Sequence, residues 1–489
     1  MTIQIRVNLT RRGLVAAAAA GAALPLATRA RAQEIGAPMA SLSAYMAAAP
    51  EKALPVEVVE KAKHHILDTL AAMVSGAQLL PGQKAIAFAR AYGGQPIATV
   101  AASDVMCGPI EAALANGVLA HSDETDDSNA ASQSHPGAAV VPAALAAGEK
   151  FGIDGAHFIR AVTLGYDVGS RVTIAMGGVV FRQESHRATH AIAGGFGAAA
   201  AAGAAARLDP QQVRWLLDYA GQQSSGTAAW ERDGDHIEKA LVFAGFGARS
   251  GVTAALLVQA GWTGVDDIFS GESNFFEAYA PKADVAQLSL DLGKRFEISR
   301  TDIKKWTVGS PIQAALDALD ILMKRHSFKA SDVAALRARL SPNEGAVVDN
   351  RDMPDISIQH MLAVMLLDGT ASFAAAHDKP RMQAADVLRE RAKIRLVPDP
   401  DLIKYLPQRG ATVEVTLKDG RTVAETVLQV KGTAANPMSR QEVVDKARDL
   451  LAPVLGSPRA GELIQAVLTL DTRGDIRTSL SPLLRPARA

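Results

Sequence analysis

The sequence predicts a mainly α-helical protein with a smaller α+β unit. Alanine is abundant, as in the run from Ala198 to Ala202, and aromatic residues make up only 5% of the 489 residues. This composition favours close-packed helices over sheets. From about Leu42 to Leu292, short turns of glycine, proline and aspartate separate one helix-like segment from the next. Alternation of apolar and polar residues, which is typical of strands, starts only after about Phe296.

The overall composition narrows the class of protein. The 51 lysines and arginines balance the 51 acidic residues, 48% of the chain is hydrophobic, and the mean hydropathy is +0.08. At roughly 100 to 200 residues per domain, this length predicts two to four domains with sizeable cores. The sequence has no block of basic residues of the kind that binding to nucleic acid requires, so we expect no nucleic-acid partner.

The first 32 residues have the pattern of an export signal. Arg11 and Arg12 precede an apolar stretch that runs to about Ala27, and Ala30-Arg31-Ala32 stands ahead of Gln33. This order is typical of a twin-arginine signal peptide with its cleavage site. The apolar stretch is shorter than the roughly 20 residues that span a bilayer, so we expect no permanent membrane anchor. The segment therefore predicts export to the periplasm after folding, with an alanine-rich tail as the alternative.

Helix signals recur through the first part of the chain. Val213, Leu216, Leu217 and Ala220 follow the helix period, and Asp209-Pro210 is a helix start signal. The same reasoning predicts helices at residues 55–74, 142–150, 194–207, 210–222 and 248–260.

Strand signals define the smaller unit. Residues 333–340, 392–397 and 411–430 alternate apolar and polar side chains, and Asp419-Gly420 stands where a tight hairpin turn is expected. A capping box of Ser439 and Glu442 then restarts helix, so the last roughly 50 residues are expected to be helical and to dock on the first unit.

Histidines and acids cluster in one quarter of the chain, which indicates a site. The six histidines of this region are His121, His135, His157, His186, His190 and His236. Between the first two lie the acids Asp123, Glu124, Asp126 and Asp127, which are costly to hold together without a cation or a cationic pocket.

Two alternatives compete for this acidic stretch. One is a Mg²⁺ site similar to the Asp-rich motif of prenyl-diphosphate synthases, although the chain has no second metal motif and few aromatic residues. The other is a solvated acidic loop or helix start.

A glycine motif offers a further hypothesis. Gly195-Phe196-Gly197 fits part of a dinucleotide-binding fingerprint, but no β-branched strand precedes it, so the motif predicts close helix packing instead. The sequence also lacks a Walker A motif, a G-x-S-x-G elbow and an S-x-x-K motif, which argues against nucleotide hydrolysis and serine acyl transfer.

Five segments together resemble the MmgE/PrpD family, in the family's order. They are NGVLAHSDETDD, HPGAAVVPAALAAGE, AIAGGFGAAAAAGAAARL, HIEKALVFAGFGARSGVTAALLVQAGWTG and IKKWTVGSPIQAALDAL. The family includes 2-methylcitrate dehydratase, cis-aconitate decarboxylase and iminodisuccinate epimerase. The resemblance implies a homodimer whose large helical domain, built from both ends of the chain, carries a smaller α+β lid. In this sequence we expect the helical domain at 38–295, the lid at 296–435 and the returning helices at 436–489.

The resemblance also implies roles for particular residues. The family's acid corresponds to Glu124, and the histidine of its H-P motif corresponds to His135. The family's second pocket histidine is expected near residue 188, so His186 and His190 are both candidates. Its first pocket lysine falls on Lys239.

The lysine positions show two departures from the family pattern. Five residues separate Lys239 from Gly245, where four are commoner. The second pocket lysine falls on Lys304, and Trp306 stands where the family usually has tyrosine or phenylalanine.

The family reactions share proton transfer next to a carboxylate, for which histidine is suited. We expect His135 and either His186 or His190 to move protons, Glu124 to orient an imidazole, and Lys239 and Lys304 to hold substrate carboxylates. The further substrate-binding candidates are His121, Asp126, Asp127, Arg249 and Lys305.

The resemblance implies chemistry without a metal or organic cofactor, and the lone Cys107 cannot hold an iron–sulfur cluster. A hydro-lyase similar to 2-methylcitrate dehydratase is the first expectation. A decarboxylase or an epimerase of a related acid remains open, as does a non-catalytic periplasmic protein that binds polycarboxylates.

Overall fold

The computed structural model describes residues 35–486 and confirms the mainly α-helical class with a smaller α+β region. The signal peptide predicted over residues 1–32 lies outside the described residues. Within them, the α-helices are α1 Ala37–Ala48, α2 Val56–Gly76, α3 Leu80–Tyr92, α4 Pro109–Ala120, α5 Pro136–Phe151, α6 Gly155–Ala175, α7 Gly178–Ser185, α8 Thr189–Ala205, α9 Pro210–Gln222, α10 Ile237–Ala240, α11 Phe246–Gln259, α12 Phe275–Tyr279, α13 Ser310–His326, α14 Pro342–Val348, α15 Ile358–Asp368, α16 Phe373–His377, α17 Ala385–Arg391, α18 Arg440–Leu455, α19 Ser457–Leu468 and α20 Ile476–Ser479.

Helix α8 is the centre of the helical part. All 17 of its residues are buried, and it packs against α5, α6 and α11. A Cβ atom on Gly197 would lie 2.7 Å from the carbonyl oxygen of Gly165, and one on Gly247 would lie 2.7 Å from the backbone of Gly194. Only glycine permits such close approach of two helix backbones. The glycine motif at 195–197 therefore serves helix packing, as the sequence predicted.

Proline and aspartate place several helix starts. Helix α9 begins at Pro210, and the Asp209 side chain accepts hydrogen bonds from the backbone N–H groups of Gln211 and Gln212, as predicted. The predicted start at Pro142 was wrong, because α5 begins at Pro136 and contains Pro142 in its interior. Pro136 occupies the first helical position, where the missing N–H costs nothing, so His135 stands at the N-cap.

The small unit contains a four-stranded sheet. Its strands are β3 Val333–Leu340, β4 Ile394–Pro398, β5 Ala411–Leu417 and β6 Thr422–Val427, in the spatial order β4-β3-β5-β6; a separate pair is formed by β1 Ala98–Thr99 and β2 Met106–Cys107. Strands β3 and β4 run parallel, and the other neighbours run antiparallel. Gly420 has a φ of +92° in the β5–β6 turn, which confirms the predicted hairpin.

Apolar side chains form two main core clusters. The first takes residues between 39 and 303, Phe373, and residues between 438 and 484, and the second takes residues between 306 and 430. Helix α18 begins with the predicted Ser439–Glu442 capping box and packs against α2, so the last helices share the core of the first part of the chain.

A continuous helical stretch leads from Ile237 to Gln259. It contains a π-helical turn, Leu241–Gly245, between α10 and α11. Among the described residues, this stretch is the one long and apolar enough to span a membrane, but 67% of its apolar window is buried inside the protein, as in a core helix.

Candidate active site

The acidic stretch forms a buried loop between α4 and α5. Asp126 and Asp127 are fully buried, and Asp123 and Glu124 are 3% and 6% exposed. His121 follows the last residue of α4, and His135 precedes the first residue of α5. The alternative of a solvated acidic loop is therefore wrong. The loop brings carboxylates and imidazoles together in the interior.

Asp126 joins two of the imidazoles. His121 Nδ1 lies 3.0 Å from Asp126 Oδ1, and His135 Nδ1 lies 3.1 Å from both carboxylate oxygens. Lys304 Nζ lies 3.7 Å from the same carboxylate. Burial alone would raise the pKa of Asp126, but the two imidazoles and Lys304 outweigh it and hold that pKa well below its usual range.

This arrangement fixes the tautomers of both histidines. An ionised carboxylate only accepts hydrogen bonds, so the Nδ1 atoms of His121 and His135 carry hydrogen. Burial lowers the pKa of His135 to about 4 in spite of Asp126, and the N-terminus of α5 further disfavours a positive ring. His135 is thus a neutral imidazole whose Nε2 has a free electron pair, as a general base requires.

Glu124 is held by two lysines. Lys239 Nζ pairs with Glu124 Oε1, and Lys304 Nζ donates to the backbone oxygen of Glu124 at 2.8 Å. Burial raises the pKa of Glu124, but the two ammonium groups more than compensate and keep it well below the usual value. The site therefore combines an ionised buried carboxylate with two cations that come from distant segments.

The aromatic ring of Phe243 packs against the histidines of the site. Its ring stacks on His121, with centroids 4.5 Å apart, and on His190, with centroids 3.7 Å apart. Trp230 meets the same ring edge-on at 4.5 Å. Burial, followed by the neighbouring His135, lowers the pKa of His190 well below its ordinary value. His190 is therefore a second neutral imidazole beside His135, at a centroid distance of 5.3 Å.

The π-helical turn explains one departure from the family pattern. A π turn holds one residue more than an α turn, and such turns are frequent at functional sites. The turn Leu241–Gly245 lies within the interval from Lys239 to Gly245 that is one residue longer than usual. It accommodates the additional residue, so that Lys239 still reaches Glu124 while Phe243 points into the histidine cluster.

The structure distinguishes the two candidates for the second histidine. His190 lies in the first turn of α8 and is buried within the cluster. His186 is exposed at the C-terminal end of α7 and has a φ of +56°. Only His190 is thus placed to exchange a proton with the groups around His135.

Two predicted substrate-binding residues, Lys305 and Arg249, are engaged elsewhere. Lys305 Nζ lies 3.3 Å from Asp317 and 3.2 Å from Asp320, so its charge is neutralised within the α+β unit. The Arg249 guanidinium lies 5.2 Å from the centre of the Phe246 ring.

Asp127 is a structural anchor, since it is fully buried and bonds to groups on three helices. It bonds to His65 Nδ1 and Tyr166 Oη and accepts from the backbone N–H of Gly137. These bonds fasten the acidic loop to α2, α5 and α6.

Sequence reasoning missed several residues at this site. His377, on α16 of the smaller unit, lies 3.1 Å from Asp123. Burial, with smaller contributions from the nearby Glu124 and Asp123, raises the pKa of Asp355, which precedes α15, to about 7 against the opposing influence of His377. Lys446, which lies on α18, donates a hydrogen bond of 2.9 Å to the backbone oxygen of Thr125. No local motif marks these three residues, because only the tertiary fold brings them to the loop.

Two overlapping sets of side chains have the composition of a metal site. They are His121, Asp126 and His135, and His121, Glu124 and His236; in each set the possible ligand atoms lie within 4.8 Å of one another. The mixture of nitrogen and oxygen ligands fits a transition metal better than Mg²⁺, which prefers oxygen. In the first set, the Nδ1 hydrogens of both histidines already bond to Asp126.

Comparison with known proteins gives matches along most of the chain. The MmgE/PrpD N-terminal domain model matches residues 40–288, and the C-terminal domain model matches residues 306–472. The chain is 24% identical over 459 residues to a cis-aconitate decarboxylase-like protein of Aspergillus oryzae, covering 88% of this chain and 93% of that protein. It is 26% identical over 458 residues to human cis-aconitate decarboxylase, covering 88% and 91%. A 2-methylcitrate dehydratase-like protein of Aspergillus oryzae matches at 28% over 170 residues, which is 32% of this chain and 34% of that protein. The chain thus belongs to the MmgE/PrpD family.

Proposed function

We propose that the protein is a lyase that acts on a tricarboxylic acid by proton transfer at a carbon next to a carboxylate. The observation that carries the proposal is the Asp126 carboxylate, which orients the His135 imidazole beside the cations Lys304 and Lys239. An oriented neutral base next to fixed positive charge is what the formation of an enolate-like intermediate requires.

Each residue of the site has a distinct role in the proposed reaction. His135 Nε2 takes or returns the proton, and Asp126 stabilises the imidazolium that forms, as a carboxylate does for a catalytic histidine elsewhere. Lys239 and Lys304 bind substrate carboxylates and stabilise the negative charge that develops. His190, neutral and adjacent, serves as the second proton-transfer group.

Decarboxylation of an unsaturated tricarboxylic acid such as cis-aconitate is the first candidate reaction. The proteins named for this activity match nearly the full length of the chain. In this reaction the C–C bond to the leaving carboxylate breaks, CO₂ departs, and the electron pair left on the substrate takes up one proton. An imidazolium that has gained its proton from solvent delivers it.

Dehydration of a hydroxytricarboxylic acid such as 2-methylcitrate is the second candidate, and the partial match to a dehydratase-like protein favours it. Here a base removes the proton next to a carboxylate, and the hydroxyl group leaves as water after it gains a proton. The same pair of imidazoles can perform both transfers.

The test is product analysis with a panel of di- and tricarboxylic acids by NMR. Decarboxylation converts cis-aconitate to a dicarboxylic acid with release of one CO₂, whereas dehydration converts a hydroxy acid to an alkene without CO₂. Saturable binding of these acids without any turnover would instead indicate a non-catalytic binding protein and contradict the proposal.

A further inference from the structure

Three buried imidazole nitrogens in the cluster lack a hydrogen-bond partner among the described residues. One is Nδ1 of His190, and the other two, Nε2 of His121 and Nε2 of His236, belong to side chains that are fully buried and 5% exposed. Their rings lie 5.3 Å apart. A buried polar atom without a partner is costly, so two of them on rings close to the Glu124 carboxylate indicate a ligand.

The tautomer of His121 defines what kind of ligand fits. Its Nδ1 carries the hydrogen that bonds to Asp126. In the neutral ring, Nε2 therefore presents an electron pair, which attracts a Lewis acid. A histidine whose other nitrogen donates to a carboxylate is the usual arrangement at protein-bound metals.

The loop before α10 holds His236 in place. Asp233 accepts a hydrogen bond from the backbone N–H of Lys239, and Asp235 accepts one from that of Ile237. His236 itself has a φ of +65°, a conformation that is unfavourable for a residue other than glycine. Strain of this kind persists where the surroundings enforce it and is frequent at ligand-binding positions.

We propose that His121, Glu124 and His236 form a binding site for a first-row transition-metal ion such as Zn²⁺, and that the ion replaces Lys239 at Glu124. The three ligand atoms lie within 4.8 Å of one another, and two imidazoles with one carboxylate are a common ligand set for such ions. Asp126 orients the His121 ring through the hydrogen bond at Nδ1.

Lys239 is the competitor for this site. Its ammonium group pairs with Glu124 Oε1, and an ion bound to Glu124 would be repelled by it. Metal binding therefore requires Lys239 to move away, which removes a cation that the proposed lyase uses to hold its substrate. The ion would act as an inhibitor of the proposed reaction, but its binding does not depend on that reaction being correct.

The experiment titrates the purified full chain with Co²⁺, whose visible absorption reports the number and geometry of its ligands, and then displaces Co²⁺ with Zn²⁺. We expect one ion per chain. His236→Gln should weaken binding at least about tenfold, since it removes a ligand, and His186→Gln is the matched control on an exposed histidine. Lys239→Met should tighten binding, because it removes the competing charge.

The weaker metal binding expected for His236→Gln and the tighter binding expected for Lys239→Met distinguish a direct effect on the metal site from a general loss of structure. A variant that merely loosens the fold weakens binding, so tighter binding by Lys239→Met supports the proposal directly. Absence of saturable Co²⁺ binding by the unaltered protein would overturn it, and so would equal affinities of the His236→Gln and His186→Gln variants. Circular dichroism of each variant verifies the fold.

Discussion

His377 Nε2 lies 3.1 Å from Asp123 Oδ2, and this ion pair joins the α+β unit to the acidic loop of the site. The other ring nitrogen of His377 bonds to the backbone oxygen of Phe373 at 2.8 Å. A carbonyl oxygen accepts from Nδ1 and a carboxylate lies beside Nε2, so both neighbours favour the protonated, positively charged ring. Burial lowers the pKa of His377, but Asp123 and then Asp355 overcome it and raise the pKa to about 9.

This ion pair predicts a stability that depends on pH. Because the folded pKa lies above the ordinary value of 6.5, the contribution of His377 is fully present below about pH 6.5 and is lost as the pH rises through about 9. A shift of this size corresponds to roughly 3 kcal/mol. His377→Gln should lower the free energy of unfolding by up to that amount at pH 6, measured by urea denaturation.

At pH 10 the unaltered protein and His377→Gln should differ much less, and His186→Gln should resemble the unaltered protein at both values. An equal loss of stability by His377→Gln at pH 6 and pH 10 would contradict a role for the charge.

The fold was largely predictable from the sequence because its signals are local. The Asp209 cap, the Asp419-Gly420 turn and the Ser439–Glu442 capping box each lie within a few residues of the element that they define. The start of α5 was misplaced because both Pro136 and Pro142 fit the proline rule. Deciding between them required the bonds that fasten the acidic loop.

The site was only partly predictable, for a physical reason. His135, Glu124, Lys239 and Lys304 stand in recognisable segments, and the structure brings them together. The sequence does not identify Phe243 as a site residue, because a phenylalanine in an apolar helix has no distinguishing pattern. Its orientation towards the histidines depends on the π-helical turn. His377 likewise stands in an ordinary helix, and its ion pair spans more than 250 positions of the chain.

The pair of Lys239 and Glu124 should be tested by a double variant. Lys239→Met leaves Glu124 as a buried charge that has lost its closest partner, and breaking such a pair costs roughly 3–5 kcal/mol of stability. Adding Glu124→Gln removes the charge and should restore most of the stability without restoring turnover. Thermal unfolding measures the first effect and substrate consumption the second. Recovery of turnover in the double variant would show that Lys239 serves the fold alone.

Removal of metal ions should leave the proposed reaction intact. The lysines already supply the positive charge that a cation would provide to a substrate carboxylate. Dialysis against a chelator should therefore leave turnover of an active substrate unchanged, and would raise it if an inhibitory ion had been bound. Loss of turnover that Mg²⁺ restores would instead assign a catalytic cation to the acidic loop.

Export can be tested through Arg11 and Arg12. Changing both to lysine should retain the precursor in the cytoplasm, because the twin-arginine route requires the arginine pair. Cell fractionation measures the distribution, and the recovered periplasmic protein should begin near Gln33. Unchanged periplasmic delivery of the variant would contradict the twin-arginine prediction.

The central claim is that His135 transfers a proton next to a substrate carboxylate, and hydrogen isotope exchange tests it most directly. With an active substrate in D₂O, deuterium should appear by NMR at the carbon next to a carboxylate, in the product or in recovered substrate. His135→Gln, correctly folded, should reduce turnover by about two to four powers of ten and reduce deuterium incorporation with it. Nearly full turnover and incorporation by His135→Gln would contradict the account.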